Sequence, residues 1–332
     1  RRRGRRVLGR CRACSRRLAA MNAAPGAGAR VVVALDIGGT TLSGGLVTED
    51  GAVLYEAGRP AVRDGGRDPG LHGTVALARE LTVKAGDMGA AVVGIGAGFP
   101  EYVSGAGALT SRDVISWDEQ PAGLLAPLVP GRPVVVESDV RCGALAEART
   151  GSGRGLGSFL YVSVGTGLSG AFVQDGRVWT GQRGEALGLG TWPVRGGPAP
   201  DLEAYASGAG IAARYSAVTG SAVTGARTVV TRAQAGDAAA FDVLSTAGGA
   251  LGTALAWAVA LLDPAAIVVG GGLGAAGGLF DESMRTAYAA RAGRRGRPPV
   301  RRAELGARSG LVGAALAAWE HPADALDTHR VA

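Results

Sequence analysis

A chain of 332 residues has room for two domains with substantial cores, and its formal charge of +7 gives a misleading first impression. Nine arginines and no acidic residue fall in residues 1–20, which leaves 26 basic groups against 28 acidic ones over the remainder, a net of −2. So near-neutral a body excludes an extended nucleic-acid surface, and three cysteines exclude a disulfide framework. The arginine run is short for a nucleic-acid arm. Met21 follows it, and residues 1–29 are expected to be a disordered basic extension or upstream translation. Cys11 and Cys14 form a lone Cys-x-x-Cys inside that run, weak ground for zinc without a second pair. Cys142 alone lies in the body. That usage, with no secretory apolar segment, predicts a cytoplasmic protein.

In chain order, Val31–Leu35 reads as a buried strand, followed by a hairpin strand at Leu46–Val47 and a third near Val53–Glu56. A Gly-rich connection over Arg59–Pro69 leads to helical spacing at Thr74–Lys84. Ala91–Ile95 is a continuous apolar run of the kind found in buried parallel strands. An irregular loop with Arg112, Asp113 and Trp117 follows Pro100. Pro133–Val136 reads as another buried strand, leading directly into a helix over Asp139–Arg149. A second module opens with a strand at Phe159. Residues 177–200 read as loop, Leu202–Tyr215 as one helix and about Asp237–Leu262 as long helical segments. Within the latter, the apolar stretch Ala247–Leu262 is short, contains glycine and is closed by Asp263-Pro264, which predicts a buried helix and no membrane span. Ile267–Val269 is a strand, and a helix at Leu311–Trp319 closes the body. Strands alternating with helices make the chain α/β, with a hairpin meander opening each of two lobes. The expected lobes are 30–136 plus 305–325, and 137–304.

The lobes open with the same device. Val31–Asp36 runs into Ile-Gly38-Gly39-Thr40-Thr41, then Leu-Ser-Gly-Gly, a second strand and Asp50-Gly51. Phe159–Val164 runs into Gly165-Thr166-Gly167, then Leu-Ser-Gly-Ala, a second strand and Asp175-Gly176. Asp-Gly between apolar runs predicts hairpins with both turn residues at positive φ. Gly at the preceding bend frees backbone N–H groups to face an anion, and Thr adds a hydroxyl, so each bend can hold phosphate. Asp36, at a strand end facing two glycines and two threonines, can hold Mg²⁺ directly or through water. Glu137-Ser138-Asp139 stands where a buried strand becomes a helix. Ser138 or Asp139 there can cap the helix, and a carboxylate at that sheet edge can also serve as a base for an acceptor hydroxyl; Asp139 is the candidate. Gly270-Gly271-Gly272 after a strand admits two readings, close packing of a helix or a flat shelf for an adenine ring.

These residues in this order resemble the ROK family of bacterial sugar kinases and related repressors, within the hexokinase, actin and heat-shock ATPase superfamily. The marks are Asp36-Ile-Gly-Gly-Thr40, Val136-Glu137-Ser138-Asp139 against the family's Val-Glu-Asn-Asp, Gly165-Thr166-Gly167, Leu202-Glu203-Ala-Tyr-Ala-Ser-Gly208 and Gly270–Gly272. The resemblance spans nearly all of residues 30–320. It implies a two-domain actin-like, ribonuclease H-like fold closing over ATP, Mg²⁺ and a small polyol or sugar. It implies Asp139 as general base, Asp36 with Gly38, Gly39, Thr40, Thr41, Gly165, Thr166 and Gly167 around metal and phosphates, and Gly270, Gly271 and Gly272 at the adenosine. Family members are often dimers, so a homodimer is the assembly it suggests. Family repressors carry a DNA-reading domain before the first phosphate motif. About ten residues separate Met21 from that motif, so no nucleic-acid partner is expected.

The departures concern the acceptor. Many family members hold zinc with one histidine and three cysteines before the Leu-Glu pair, but Gly184–Glu203 contains neither residue type, the histidine position falling at or near Thr191 and the last cysteine at Asp201. No zinc site is expected. The family's sugar-binding Glu of a Gly-Glu pair matches Glu185 if a small insertion is allowed and Gly188 if it is not. Glu203 matches a second sugar ligand. Ser138 replaces the usual Asn before the base, Arg112-Asp113 stand where a loop normally offers Asn, and Thr41 stands where lysine is common. Arg112, Asp113, Ser138, Asp139, Glu185 and Glu203 are therefore the expected acceptor contacts. The implied reaction transfers the γ-phosphoryl group to a hydroxyl, primary for choice, of a hexose, an amino sugar or a C7 cyclitol. The alternatives are a non-catalytic sugar-binding regulator on the same scaffold and a superfamily relative with a carboxylate acceptor.

Overall fold

The computed structural model describes residues 28–61, 68–194, 200–292 and 297–321. The arginine run, Cys11, Cys14, Met21 and most of the Arg59–Pro69 connection lie outside the described residues.

Two five-stranded sheets share one plan. In the first, β1 (Arg30–Ile37) pairs antiparallel with β2 (Thr41–Val47), which pairs with β3 (Val53–Pro60); on its other side β1 runs parallel to β4 (Ala91–Phe99), and β4 to β5 (Val134–Ser138). In the second, β6 (Ser158–Val164) pairs antiparallel with β7 (Leu168–Gln174), β7 with the short β8 (Arg177–Trp179), and β6 runs parallel to β9 (Ile267–Gly270), which is parallel to β10 (Val300–Arg302). The duplicated motif thus occupies equivalent strands of duplicated sheets. The parallel strands read as apolar runs because both faces are covered. Val31–Leu35 is fully buried, with one face against α1 (His72–Asp87) and the other against α9 (Ser309–Trp319).

The central layer is where the lobes meet. Helix α3 (Asp139–Thr150) covers one face of the second sheet, and α9 covers one face of the first. The two helices pack on each other through Leu145, Ala146, Val312 and Leu316. Their approach is close enough to demand glycine, since a Cβ at Gly313 would lie 1.7 Å from the Cys142 carbonyl oxygen; α9 sits as close on β4, where one at Gly96 would lie 1.9 Å from the Ala314 carbonyl oxygen. The outer face of the second sheet carries α4 (Leu202–Ala206), α5 (Gly208–Thr219), α6 (Ala226–Gln234), α7 (Ala238–Leu262) and α8 (Leu279–Arg291).

Several expectations change. The predicted helix over Leu202–Tyr215 is two helices, because Ser207 is extended and its hydroxyl accepts from the Gly210 N–H, capping α5. β3 runs on to Pro60 because it pairs with β2 along its whole length, Thr41 opposite Pro60. α6, α8 and β10 carry no strong sequence signal and form against the second core. The Asp175-Gly176 hairpin has both residues at positive φ, but in the first hairpin only Gly51 does. There the connection is longer, closed by a Gly51 N–H to Thr48 carbonyl bond, so a single left-handed glycine suffices. Among the described residues one helix, α7, is apolar and long enough to cross a membrane, and 56% of its apolar window is buried inside the second lobe.

Candidate active site

The site is assembled where parallel strands end. Asp36 on β1 is opposite Gly98 on β4, and Gly98 is opposite Glu137 on β5. With no side chain at Gly98, α3 can start close by: a Cβ there would lie 3.6 Å from the Asp139 Cα and 3.3 Å from the Cys142 Sγ. Asp36 and Asp139 are thereby brought into electrostatic range. Burial pushes the Asp36 carboxyl up to about 6. Burial, then repulsion from Asp36 and more weakly from Glu101 and Glu203, pushes Asp139 up to about 7; the Val140 N–H, donating to its Oδ1 at 2.6 Å, opposes this. Glu137 takes no part in this pairing of acids. Its Oε1 is 2.6 Å from Arg141, whose charge opposes the upward pull of burial on the carboxyl.

Ser138 occupies the N-cap position of α3, but its hydroxyl makes no capping bond. The cap considered for Ser138 is not made; it lies buried at the end of β5, one residue from Asp139.

The two Gly/Thr bends are built alike. The Gly38 N–H donates to the Thr41 carbonyl at 2.8 Å and the Gly165 N–H to the Gly167 carbonyl at 3.0 Å. The Thr40 and Thr41 hydroxyls lie 3.5 Å apart and exposed, free to face a ligand. The second bend is pinned from behind by the first amides of α5, with Gly208 donating to the Gly165 carbonyl and Ala209 to that of Thr166. Beside it β9 ends in Gly270–Gly272. A Cβ at Gly270 would lie 2.6 Å from the Tyr161 hydroxyl, and one at Gly271 (φ +77°) 2.4 Å from the Val164 carbonyl oxygen, whereas nothing lies within 4 Å at Gly272. Close packing accounts for the first two glycines. Only Gly272 borders open space.

Three of the acceptor candidates, Asp113, Glu185 and Glu203, are carboxylates within electrostatic range of Tyr102. Glu203 on α4 accepts weakly from the Leu168 N–H at 3.4 Å and lies against Gly167. Asp113, Glu185 and Glu203, after burial, all hold the Tyr102 hydroxyl above its ordinary pKa, which places the three around that phenol. Tyr102 and Thr191 also flank Gly188, at 3.6 and 3.3 Å from where its Cβ would be. Glu185 sits on the rim, 48% exposed and paired with Arg183 at 3.0 Å. Arg112 is held against Trp117: its guanidinium stacks 3.9 Å from the Trp117 ring centroid, and its Nε donates to the Trp117 carbonyl. A cavity of about 190 Å³ joins Gly38 and Gly39 to residues 112–116.

Sequence reasoning passed over Glu101, Tyr102, Gly98 and Gly310. Glu101 follows a buried strand at the same sheet edge as Asp36 and Asp139, a signal that could have drawn attention to it. Gly310 had none; a Cβ on it would lie 2.6 Å from the Asp36 Oδ2, a contact visible only once α9 is folded against β1.

The ROK family model matches residues 32–321. The chain belongs to the ROK family. It is 28% identical to the glucokinase of Streptomyces coelicolor over 320 residues, covering 87% of this chain and 98% of that one. It is 36% identical over 198 residues to the bifunctional enzyme NanE/NanK of Brucella melitensis, of whose length the match spans 37%. Among solved structures it superposes on the ROK hexokinase of Thermus thermophilus with a TM-score of 0.76 at 32% identity, covering 87% of this chain and 98% of that one. It superposes on a ROK glucokinase of Streptomyces griseus, crystallised with glucose and AMPPNP, with a TM-score of 0.73 at 27% identity, over 86% and 98% of the two chains. The fold is therefore the two-lobed actin-like fold of hexokinases, as the duplicated sheets imply. The Streptomyces coelicolor and Thermus thermophilus proteins, which it matches over nearly their whole length, are a glucokinase and a ROK hexokinase.

Proposed function

We propose that this ROK protein transfers the γ-phosphoryl group of ATP to a hydroxyl of a hexose or hexose-like acceptor, the candidates being a hexose, an amino sugar or a C7 cyclitol, in the cytoplasm. One observation carries this reading. Two half-buried carboxylates without a cationic partner, Asp36 and Asp139, stand together at the strand ends beside the first of two duplicated Gly/Thr bends. Asp139 is placed to take the proton of the attacking hydroxyl, since a base that titrates near 7 is ionised for a useful fraction of the time and still accepts readily. The Asp36 carboxylate has no hydrogen bond or ion pair among the described residues, and a partly desolvated carboxylate in that state fits a divalent cation. It would hold Mg²⁺, which supplies charge neutralisation on the transferring phosphoryl group.

The backbone amides and hydroxyls of Gly38–Thr41 and Gly165–Gly167 bind and orient the phosphates, one set from each lobe. Asp113, Ser138, Glu185 and Glu203 orient the acceptor, and closure of the lobes excludes competing water. Gly272 flanks the adenosine. The substituted acceptor positions, Ser138 for Asn and a Gly184–Glu203 segment without His or Cys, support an acceptor other than plain glucose.

The test is ADP release with ATP and Mg²⁺ across hexoses, N-acetylated and free amino sugars and C7 cyclitols, with Asp139→Asn as control. One strong acceptor, lost in the variant, is the expected result. No turnover on any acceptor despite nucleotide binding would favour the sugar-binding regulator instead.

A further inference from the structure

Glu101 is one of the few charged residues buried in the described structure, at 5% exposure, and none of the chemistry above uses it. Its carboxylate is saturated by a single loop. Oε2 accepts from the Asp113 N–H at 2.8 Å and from the Ser111 hydroxyl; Oε1 accepts from the Val114 N–H at 2.8 Å and the Ile115 N–H at 2.7 Å. Three successive amides converging on one point form a concave anion-binding nest, occupied here by the protein's own side chain. The surroundings stiffen it. The Ser111 hydroxyl accepts from the Tyr102 N–H, and the Trp117 indole donates to the Ser111 carbonyl. The stem of the loop is tied to the catalytic helix, because buried Arg141, two residues after Asp139, donates to the Val103 carbonyl.

Several side chains on the loop that this buried clamp holds in place are exposed. Arg112 and Asp113 are exposed, and Val114 is 50% exposed although apolar. A loop held by four charge-assisted bonds, three of them to its backbone, while its side chains stand in a cleft serves what enters the cleft, since the core gains little from it. The cleft is the cavity that Asp113 and Val114 share with Gly38 and Gly39. The loop thus faces the first phosphate bend across that cavity.

We propose that Glu101 is a positioning residue for the acceptor: it clamps residues 111–115 so that Asp113 and Val114 present a polar and an apolar contact to the sugar ring above the Gly38-Gly39 bend. This rests on the kinase reading of the site. A glutamine at 101 keeps one acceptor oxygen and turns an NH₂ donor toward amide donors, so the nest loses at least one of its bonds and gains a clash of like dipoles.

The experiment uses the full chain and its Glu101→Gln variant. Hydrogen exchange of the peptide covering 111–117 should rise at least about tenfold in the variant, with the peptides of α3 and β6 unchanged. Steady-state kinetics with glucose, N-acetylglucosamine and N-acetylmannosamine should show the acceptor KM raised at least about fivefold, with kcat and the KM for ATP within about threefold. Gln120→Ala, which removes a bond pair to Leu109 on the same excursion, is the structural comparator and should lower Tm without raising the acceptor KM. Unchanged exchange, a smaller rise in acceptor KM, or an equal rise in Gln120→Ala would overturn the proposal. If Glu101→Gln fails to fold, Ser111→Ala removes only the hydroxyl donor and should give the same pattern at about a twofold to threefold level; no change in it would count equally against the clamp. Absence of turnover by the unaltered protein on these three sugars, on free amino sugars and on C7 cyclitols would speak against the kinase reading, while the exchange measurement still decides the clamp.

Discussion

Replacing Asp139 with asparagine should stabilise the protein and silence it, and the stabilisation should depend on pH. The Asp139 carboxyl rises from 3.8 in the unfolded chain to about 7 in the fold, first through burial and then through repulsion from Asp36. Between about pH 4 and 7 the folded protein keeps a proton that the unfolded chain has lost, so its stability falls as pH rises through that window. At ~1.4 kcal/mol per pKa unit the ceiling on this loss is about 4 kcal/mol. Asp139 is not sealed from solvent, and screening brings the expected penalty to roughly 1–2 kcal/mol. Asparagine carries no charge and its Oδ1 can still accept from Val140. At or below about pH 4 the variant and the parent should melt together; at pH 8 the variant should melt about 2–4 °C higher in differential scanning fluorimetry. Turnover of the best acceptor should drop by about 10²–10⁴, as expected on loss of a general base. In the parent, kcat/KM should climb through about pH 7 as the base ionises, the profile reporting Asp36 and Asp139 as a coupled pair. Turnover within tenfold of the parent, or a Tm difference equal at pH 4 and pH 8, would refute the assignment.

Gly310→Ala places a methyl group 2.6 Å from the Asp36 Oδ2, so the carboxylate must shift; kcat should fall by about tenfold to a hundredfold, with the acceptor KM little changed in steady-state assays. Glu203→Gln should raise the acceptor KM about tenfold and leave the KM for ATP unaltered, the split that distinguishes an acceptor contact from a nucleotide contact. Gly313→Ala meets a backbone carbonyl at 1.7 Å, which no rotamer change can relieve; it should cost about 2–3 kcal/mol and lower Tm by several degrees, and a Tm within 1 °C of the parent would show that α3 and α9 can part easily.

Within the site, what was legible in the sequence was what short-range chemistry writes there. Asp36 and Asp139 are each read from an apolar strand that ends on a carboxylate, and the bends at Gly38 and Gly165 from glycine and threonine between two strands. Strand periodicity and turn chemistry act over a few residues, so the duplicated meander and the alternation of strand and helix could be predicted from the chain alone, as could the two-lobed family fold from the order of its motifs. The tertiary structure decided whatever depends on residues far apart in sequence. It turned Glu101 inward onto a loop 10 to 14 residues ahead, set Gly310 against Asp36 and Gly313 against Cys142, and broke the helix expected over Leu202–Tyr215 at Ser207, where α5 docks on the second bend. It also separated the glycines of Gly270–Gly272 into two that packing requires and one that faces open space. A glycine needed for close approach and a glycine left open for a ligand are the same letter in the sequence; only the neighbour brought up by the fold distinguishes them.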